Sequence, residues 1–390
     1  MQPTPAIAIA RRRFAVRLSL LYAAVFAILG AFTPFFPLWL KARGLDAAWI
    51  GLVMATPTLA RLTAVPLITH AAERRHAVAQ TIMITSALTV AGFALLDAMP
   101  GPVLIGAMLV LTACAWTPTI PLTDAYALRG VALHEVNYGP IRLWGSAAYI
   151  AGVLVAGAVA SLVDAGRLIW IMVAIAALGA IAALMIEPLP PPSSPALAPA
   201  ASRKPERRRP LMAVIVAAAL IQGSHAAYYS FSSIAWQAEG LGGGIISALW
   251  SICIVAEIAL FAVSPRLGLA SSTLIVIGGL GGAVRWVATA WEPSVAWLGL
   301  VQTMHALSFG ATHLGTMGLL ARLVPGRAIA TAQGGLTAAI GLVTAGASIV
   351  CGDLFARYGQ SIYFGMAIMA AAGGLLMLAT RRLVEPSPAT

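Results

Sequence analysis

The sequence predicts an all-α integral membrane protein of about twelve transmembrane helices, arranged as two pseudo-symmetric six-helix bundles. Three observations predict it. The 390 residues are 60% hydrophobic and only 9% charged, whereas soluble domains are roughly half apolar and about a quarter charged. Apolar runs of about 20 residues, the length that crosses a bilayer, recur along the whole chain. One Pro-, Ser- and Arg-rich segment without apolar period, "EPLPPPSSPALAPAASRKPERRRP", divides those runs six and six.

Taken in order, the runs are roughly 15–38, 49–69, 78–97, 102–128, 140–162 and 168–186. The other six are 211–236, 245–263, 272–291, 295–320, 328–350 and 359–380. Turn or charge signals such as "KARGLD", "AERRH", "DAMPGP" and "YGQ" separate them. The expected domains are an N-terminal bundle (1–186), a cytoplasmic linker (187–210) and a C-terminal bundle (211–390). The basic run Arg11–Arg13 precedes span 1, but that span is long for a signal peptide and leads straight into a second. Pro118 and Pro121 remove helical hydrogen bonds and are expected to kink span 4 just outward of Asp124. Pro34 and Pro37 are expected to do the same near the outer end of span 1.

Orientation follows from the cations, because positively charged loops stay inside. With the N-terminus in the cytoplasm, the inner segments hold Arg11–Arg13, Arg17, Arg74, Arg75, Arg129, Arg203, Lys204, Arg207, Arg208, Arg209, Arg266, Arg322, Arg327, Arg381 and Arg382. The outer loops hold only Lys41, Arg43, Arg167 and Arg357. Both termini are therefore expected inside, and the net charge of +11 needs no nucleic-acid partner. Trp39, Trp49, Trp170, Trp291 and Trp297 fall near the expected outer interface, as an aromatic belt would. The three cysteines, Cys114, Cys253 and Cys351, show neither metal-site nor disulfide spacing.

Few ionisable residues lie inside the spans: Arg61 (span 2), Asp124 (span 4), Arg142 (span 5), Glu257 (span 8) and Arg285 (span 9). Each costs about 2.5–3.5 kcal/mol at mid-membrane on insertion scales, so such groups face the protein interior or a water-filled cavity. Asp124 and Arg142 sit at similar depth on neighbouring spans, which predicts an ion pair. On span 7, Gln222, His225, Tyr229, Ser232 and Trp236 recur at three- and four-residue steps and share one helix face. Gln302, His305 and His313 mark a similar face on span 10. The three cations exceed the two acids by one, which suits a carboxylate substrate held by an arginine fork. Trp116, Trp144, Tyr228, Tyr229, Trp250 and Trp286 offer rings for stacking. No soluble catalytic constellation and no phosphate-binding Gly-Lys motif is visible, so the chain does not read as an enzyme or as ATP-driven.

The segments "PLTDAYAL", "YGPIRLWGSAAYI", "IQGSHAAYYSFSSIAWQAEG" and "LWSICIVAEIALF" resemble, in order, the bacterial 3-phenylpropionic acid transporter group of the major facilitator superfamily. The resemblance spans nearly the whole chain apart from the linker and the termini. A wider resemblance is to the lactose permease type of proton symporter. Tyr138-Gly139-Pro140-Ile141-Arg142-Leu143-Trp144-Gly145 matches that type's span 5 motif. The resemblance implies the major facilitator fold and proton-coupled uptake by alternating access at the bacterial inner membrane. The substrate it implies is a small organic anion such as 3-phenylpropionate. It implies proton-coupling roles for Arg285 and His305; because Ser308 stands where the permease type has a second acid, proton acceptance is expected to fall to Glu257 or Asp124. Arg142, Arg61, Asp124, Trp144, His225, Tyr229, Trp250 and Gln222 are the expected substrate-binding residues. No cofactor is expected beyond the proton as coupling ion, and the expected working unit is a monomer in the lipid bilayer. Two departures stand out. The permease type has a second acid one turn after the span 10 histidine, where this chain has Ser308. The loop "THAAERRHAVAQ" also keeps a basic cluster without the usual Gly and Asp frame. The alternatives are proton symport of a sugar or nucleoside, and proton-driven efflux.

Overall fold

A computed structural model describes residues 5–190, 208–291, 294–324 and 329–385. The linker's central part, 191–207, lies outside them. Among the described residues every regular element is helical, as lipid requires of chains that must satisfy their own backbone groups. The elements are α1 (Pro5–Ala42), α2 (Ala47–Ala55), α3 (Pro57–Leu62), α4 (Ala64–Arg74), α5 (Val78–Ala98), α6 (Gly101–Trp116), α7 (Thr119–His134), α8 (Tyr138–Ala160) and α9 (Ile169–Leu184). After the linker come α10 (Arg208–Gly223), α11 (Ala226–Ala238), α12 (Gly243–Leu267), α13 (Ser271–Ala290), α14 (Val295–Thr303), α15 (Thr312–Leu323), α16 (Ile329–Tyr358) and α17 (Ile362–Val384).

Ten described stretches are long and apolar enough to cross a membrane. The last of them, Thr331–Val384, holds both α16 and α17, which are two of the expected spans. Expected span 10 is in pieces, because a π-helical turn at Ala306–Ala311 separates α14 from α15. Such turns are rare and concentrate at functional sites. Span 4 breaks between α6 and α7 at Thr117–Pro118, next to Asp124, where the prolines predicted a kink. In span 1, α1 runs through Pro34 and Pro37 without a break. Trp39 is a correction. It is fully buried, stacks on Phe36 and donates Nε1 to the Gly166 carbonyl at 3.1 Å, so it is core and not belt. Trp170, Trp291 and Trp297 are exposed, as belt residues are.

The chain forms two compact units, each drawing on both sides of the linker. The first contains α1, α3 to α9 and the corner Trp236–Ser247. Its core gathers Phe14, Leu18, Tyr22, Ile82, Leu122 and Ile141. Here α1 and α8 touch backbone to backbone: a Cβ on Gly30 would overlap the Tyr149 carbonyl, and one on Gly152 the Ala27 carbonyl. Small residues permit this closeness, which gives van der Waals contact that lipid cannot supply. At the end of this unit Glu187 pairs with Arg17, and Tyr126 donates to the Glu187 carbonyl at 2.8 Å. The hydrogen bond and charge of Arg17 hold the Glu187 carboxyl below the usual carboxylate range.

The second unit contains α2, α10, most of α11 and α12, and everything from α13 onward. Its core includes Val214, Ile275, Leu319, Leu336 and Met377. α13 and α17 also approach closely, so that a Cβ on Gly279 would lie 2.5 Å from the Gly374 Cα.

Candidate functional site

Each unit carries a polar cluster. In the first unit it sits where α1, α7 and α8 meet. Asp124 accepts a 2.5 Å hydrogen bond from the Tyr22 hydroxyl. Tyr138 donates to the same oxygen at 3.4 Å, and the two hydroxyls lie 3.2 Å apart. The expected Asp124–Arg142 ion pair does not form. Arg142 lies over the Phe26 ring at 4.2 Å and over Tyr22 at 5.5 Å. The reason is local. Tyr22 on α1 reaches Asp124 from the side, so the carboxylate is satisfied without a cation. Arg142 then packs its planar guanidinium on aromatic faces, which is favourable by about 0.5–2 kcal/mol. Gly145, one turn on from Arg142, makes room for it: a Cβ there would meet Arg142 Nη1 at 2.8 Å and Phe26 at 3.0 Å.

The second unit holds the larger cluster, centred on Arg285. Its side chain is fully buried. Nη1 donates to His305 Nδ1 at 2.9 Å and to the Ser308 hydroxyl at 3.2 Å. Nη2 donates to Gln302 Oε1 at 2.9 Å and approaches Cys253 Sγ at 3.8 Å. The guanidinium also lies over Trp286 at 4.4 Å and over Tyr228 at 4.7 Å. Among the described residues, every hydrogen-bond partner of this buried cation is neutral. The acid of the cluster, Glu257, stands beyond His305, with Oε2 3.7 Å from Nε2.

The hydrogen bonds fix the histidine tautomers. A guanidinium only donates, so His305 Nδ1 accepts and a neutral His305 carries its proton on Nε2, facing Glu257. His225 Nδ1 faces two carbonyls, Ile221 at 3.2 Å and Gln222 at 3.1 Å, so it carries the proton. His225 Nε2 then accepts from Ser308 at 3.1 Å. A second proton on either ring would break one of these bonds. Glu257 stands at the end of the Arg285–His305 chain, its carboxylate 3.7 Å from His305 Nε2, beyond hydrogen-bond distance.

The structure brings Glu257, Arg285 and His305 together, with His225 one hydroxyl away through Ser308. Gln222 donates to the Phe309 carbonyl at 3.4 Å. Trp250 donates to Ser233 at 3.1 Å and stacks near Tyr228 and Tyr229. Tyr229 also stacks on His225. The continuous stripe expected on span 7 is interrupted, because α10 ends at Gly223 and α11 starts at Ala226, with His225 in the break. Asp124 and Arg142 belong to the first unit's cluster. Trp144 is 59% exposed on α8, and Arg61 is exposed on α3. Sequence reasoning gave no site role to Tyr22, Tyr138, Cys253 or Tyr363. Each is an uncharged residue in an apolar run, so the search for charges inside spans passed over it.

Four likenesses bear on this geometry. The model of the MFS_1 like family matches residues 15–366. The chain is 30% identical over 379 residues to the "Probable 3-phenylpropionic acid transporter" of Escherichia coli (strain K12), covering 90% of this chain and 94% of that protein. It is 28% identical over 373 residues to the maltose permease of Geobacillus stearothermophilus, covering 92% of each. Among solved structures, the nucleoside transporter NupG superposes with a TM-score of 0.77 at 16% identity. That match covers 95% of this chain and 98% of the other.

Proposed function

The chain belongs to the MFS_1 like family and has the major facilitator fold, and from that premise we propose that it couples proton entry to uptake of a small aromatic carboxylate of the 3-phenylpropionate kind. It is a multi-pass membrane transporter and not an enzyme. Our reading places it in the bacterial inner membrane as a monomer with both termini in the cytoplasm. Its six-helix halves are 1–186 and 211–390, joined by the linker 187–210. The proton is its only coupling ion, and no cofactor takes part.

One observation carries the reading: the fully buried Arg285 has only neutral hydrogen-bond partners among the described residues, inside an aromatic shell, with Glu257 one imidazole away. An isolated buried cation is expensive unless it is paired. With Glu257 ionised, the His305 bridge spreads the opposite charge toward Arg285. With Glu257 protonated, Arg285 is left without an anion, and a substrate carboxylate replaces the missing charge. Proton and substrate are thereby linked: each makes the other's binding more favourable. Trp286, Tyr228 and Trp250 supply flat faces for an aromatic ring. The name of the Escherichia coli relative supports the choice of substrate class.

A monovalent anion carried with one proton moves no net charge, so the pH gradient alone drives uptake, at about 1.4 kcal/mol per unit. The test is a pH jump in proteoliposomes with 3-phenylpropionate, cinnamate, benzoate, maltose and uridine as candidate substrates. Accumulation of the aromatic acids under an inward proton gradient, insensitive to membrane potential and in excess of the passive uptake by protein-free liposomes, supports the reading. Accumulation of maltose or uridine instead would select the sugar or nucleoside symporter, which the maltose permease likeness favours.

A further inference from the structure

Two buried donors beside Trp286 have no acceptor among the described residues. One is the Nε–H of Arg285, whose Nη1 and Nη2 are both occupied by neutral partners. The other is the hydroxyl of Tyr363, near the start of α17. Arg285 is 0% exposed and Tyr363 1%. Both side chains lie against the same indole: the Arg285 guanidinium is 4.4 Å from the ring centroid of Trp286, and Tyr363 stacks on that ring at 5.7 Å and 22°. A buried donor left unsatisfied is costly, more so when it is charged. Each of the two donors beside this ring would be satisfied by an acceptor brought in from outside the chain.

We propose that the Arg285 Nε–H and the Tyr363 hydroxyl form the carboxylate subsite of the transporter, with Trp286 as the face against which the substrate's aromatic part lies. The inference rests on the anion reading above and names the residues that perform it. The end-on fork of Arg285 is already filled by His305, Ser308, Gln302 and Cys253, so the open approach is the Nε side. A carboxylate there meets one donor with each oxygen and also neutralises the cation, whereas a neutral amide or alcohol cannot supply the charge. The site is closed to solvent in this structure, so loading requires the aromatic shell to open, as an alternating-access carrier must. Tyr363 becomes the specificity residue: its hydroxyl favours acids over uncharged analogues.

The test uses the purified full-length protein and equilibrium binding of radiolabelled 3-phenylpropionate, with unlabelled 3-phenylpropionamide as the uncharged competitor. Tyr363→Phe keeps the ring stack and removes only the hydroxyl. The expected result is about tenfold weaker binding of the acid with unchanged competition by the amide, in a variant that stays monodisperse. Arg285→Lys is the independent arm should that variant aggregate; it keeps a charge and loses the Nε–H, and should weaken the acid at least as much. Unchanged affinity for the acid in Tyr363→Phe, or equal weakening of acid and amide, overturns the subsite and leaves the anion reading standing. Failure of the wild type to bind any aromatic acid removes both.

Discussion

Arg285 donates from Nη1 to His305 Nδ1 at 2.9 Å, and this bond turns the protonated face of the imidazole toward Glu257, 3.7 Å away. His305 is thus a bridge between a cation and an acid, not a free base. His305→Ala removes the bridge and leaves Arg285 Nη1 with Ser308 as its remaining hydrogen-bond acceptor. A weakened buried donor costs about 1–3 kcal/mol, so thermal unfolding in detergent should shift down accordingly. Uptake driven by a pH gradient should fall more than substrate exchange, because exchange needs no net proton transfer. Equal losses in the two assays would assign His305 a purely structural place.

The first unit makes a different prediction. Tyr22 holds Asp124 through a 2.5 Å bond, and Tyr138 through one of 3.4 Å. Hydrogen bonds to charged groups contribute about 1.5–3 kcal/mol. Tyr22→Phe should therefore destabilise by about that amount, and Tyr138→Phe by clearly less. Unfolding curves of the two variants decide the order; the reverse order contradicts the geometry.

Arg142 and Asp124 are not paired, and a double-mutant cycle measures that. Removing one partner of a true buried ion pair costs about 3–5 kcal/mol and couples the two sites strongly. Here Asp124→Asn and Arg142→Gln should add, with a coupling energy below ~0.5 kcal/mol. The Asp124→Asn and Tyr22→Phe cycle should give more than ~1 kcal/mol. Strong coupling in the first cycle would restore the ion pair expected from sequence.

These contrasts show how far the sequence could be read. Spans were legible because a bilayer demands about 20 apolar residues, and that demand leaves a signature in composition. The ionisable residues Glu257, Arg285 and His305 were legible because each is anomalous in a span, and the resemblance to the lactose permease type grouped them. Partner choice was not legible. Asp124 and Arg142 match in depth, but Tyr22, 102 residues from Asp124, reaches the carboxylate first, and depth carries no information about the direction in which a side chain points. The π-helical turn at Ala306–Ala311 likewise has no composition signal. It packs against α13 and contains Ser308, with His305 immediately before it, and both side chains reach Arg285.

Glu187 gives a pH prediction outside the membrane. Its pairing with Arg17 lowers its folded-state pKa, so the pair contributes stability above the ordinary carboxylate value and loses it as pH falls through the lowered one. A difference in melting temperature between wild type and Glu187→Gln should be present at pH 7 and close below pH ~4. The Glu187 side chain is 75% exposed, so the difference is small and shrinks further in high salt. A gap that widens on acidification would contradict the pairing.

Glu257→Gln separates proton carriage from structure. The amide keeps the side chain's shape and an oxygen facing His305 Nε2–H, 3.7 Å away in the wild type, so the fold should be little changed. What the amide cannot do is bind and release a proton. The variant resembles a permanently neutral Glu257, the state in which Arg285 awaits an anion. It should therefore bind 3-phenylpropionate with an affinity that no longer varies with pH, and exchange labelled for unlabelled substrate across proteoliposome membranes. It should fail to accumulate substrate against a gradient when the outside is acidified. Accumulation at the wild-type level would remove Glu257 from the coupling role and move the search to Asp124, the half-buried carboxylate that the Tyr22 and Tyr138 hydroxyls hold in the first unit.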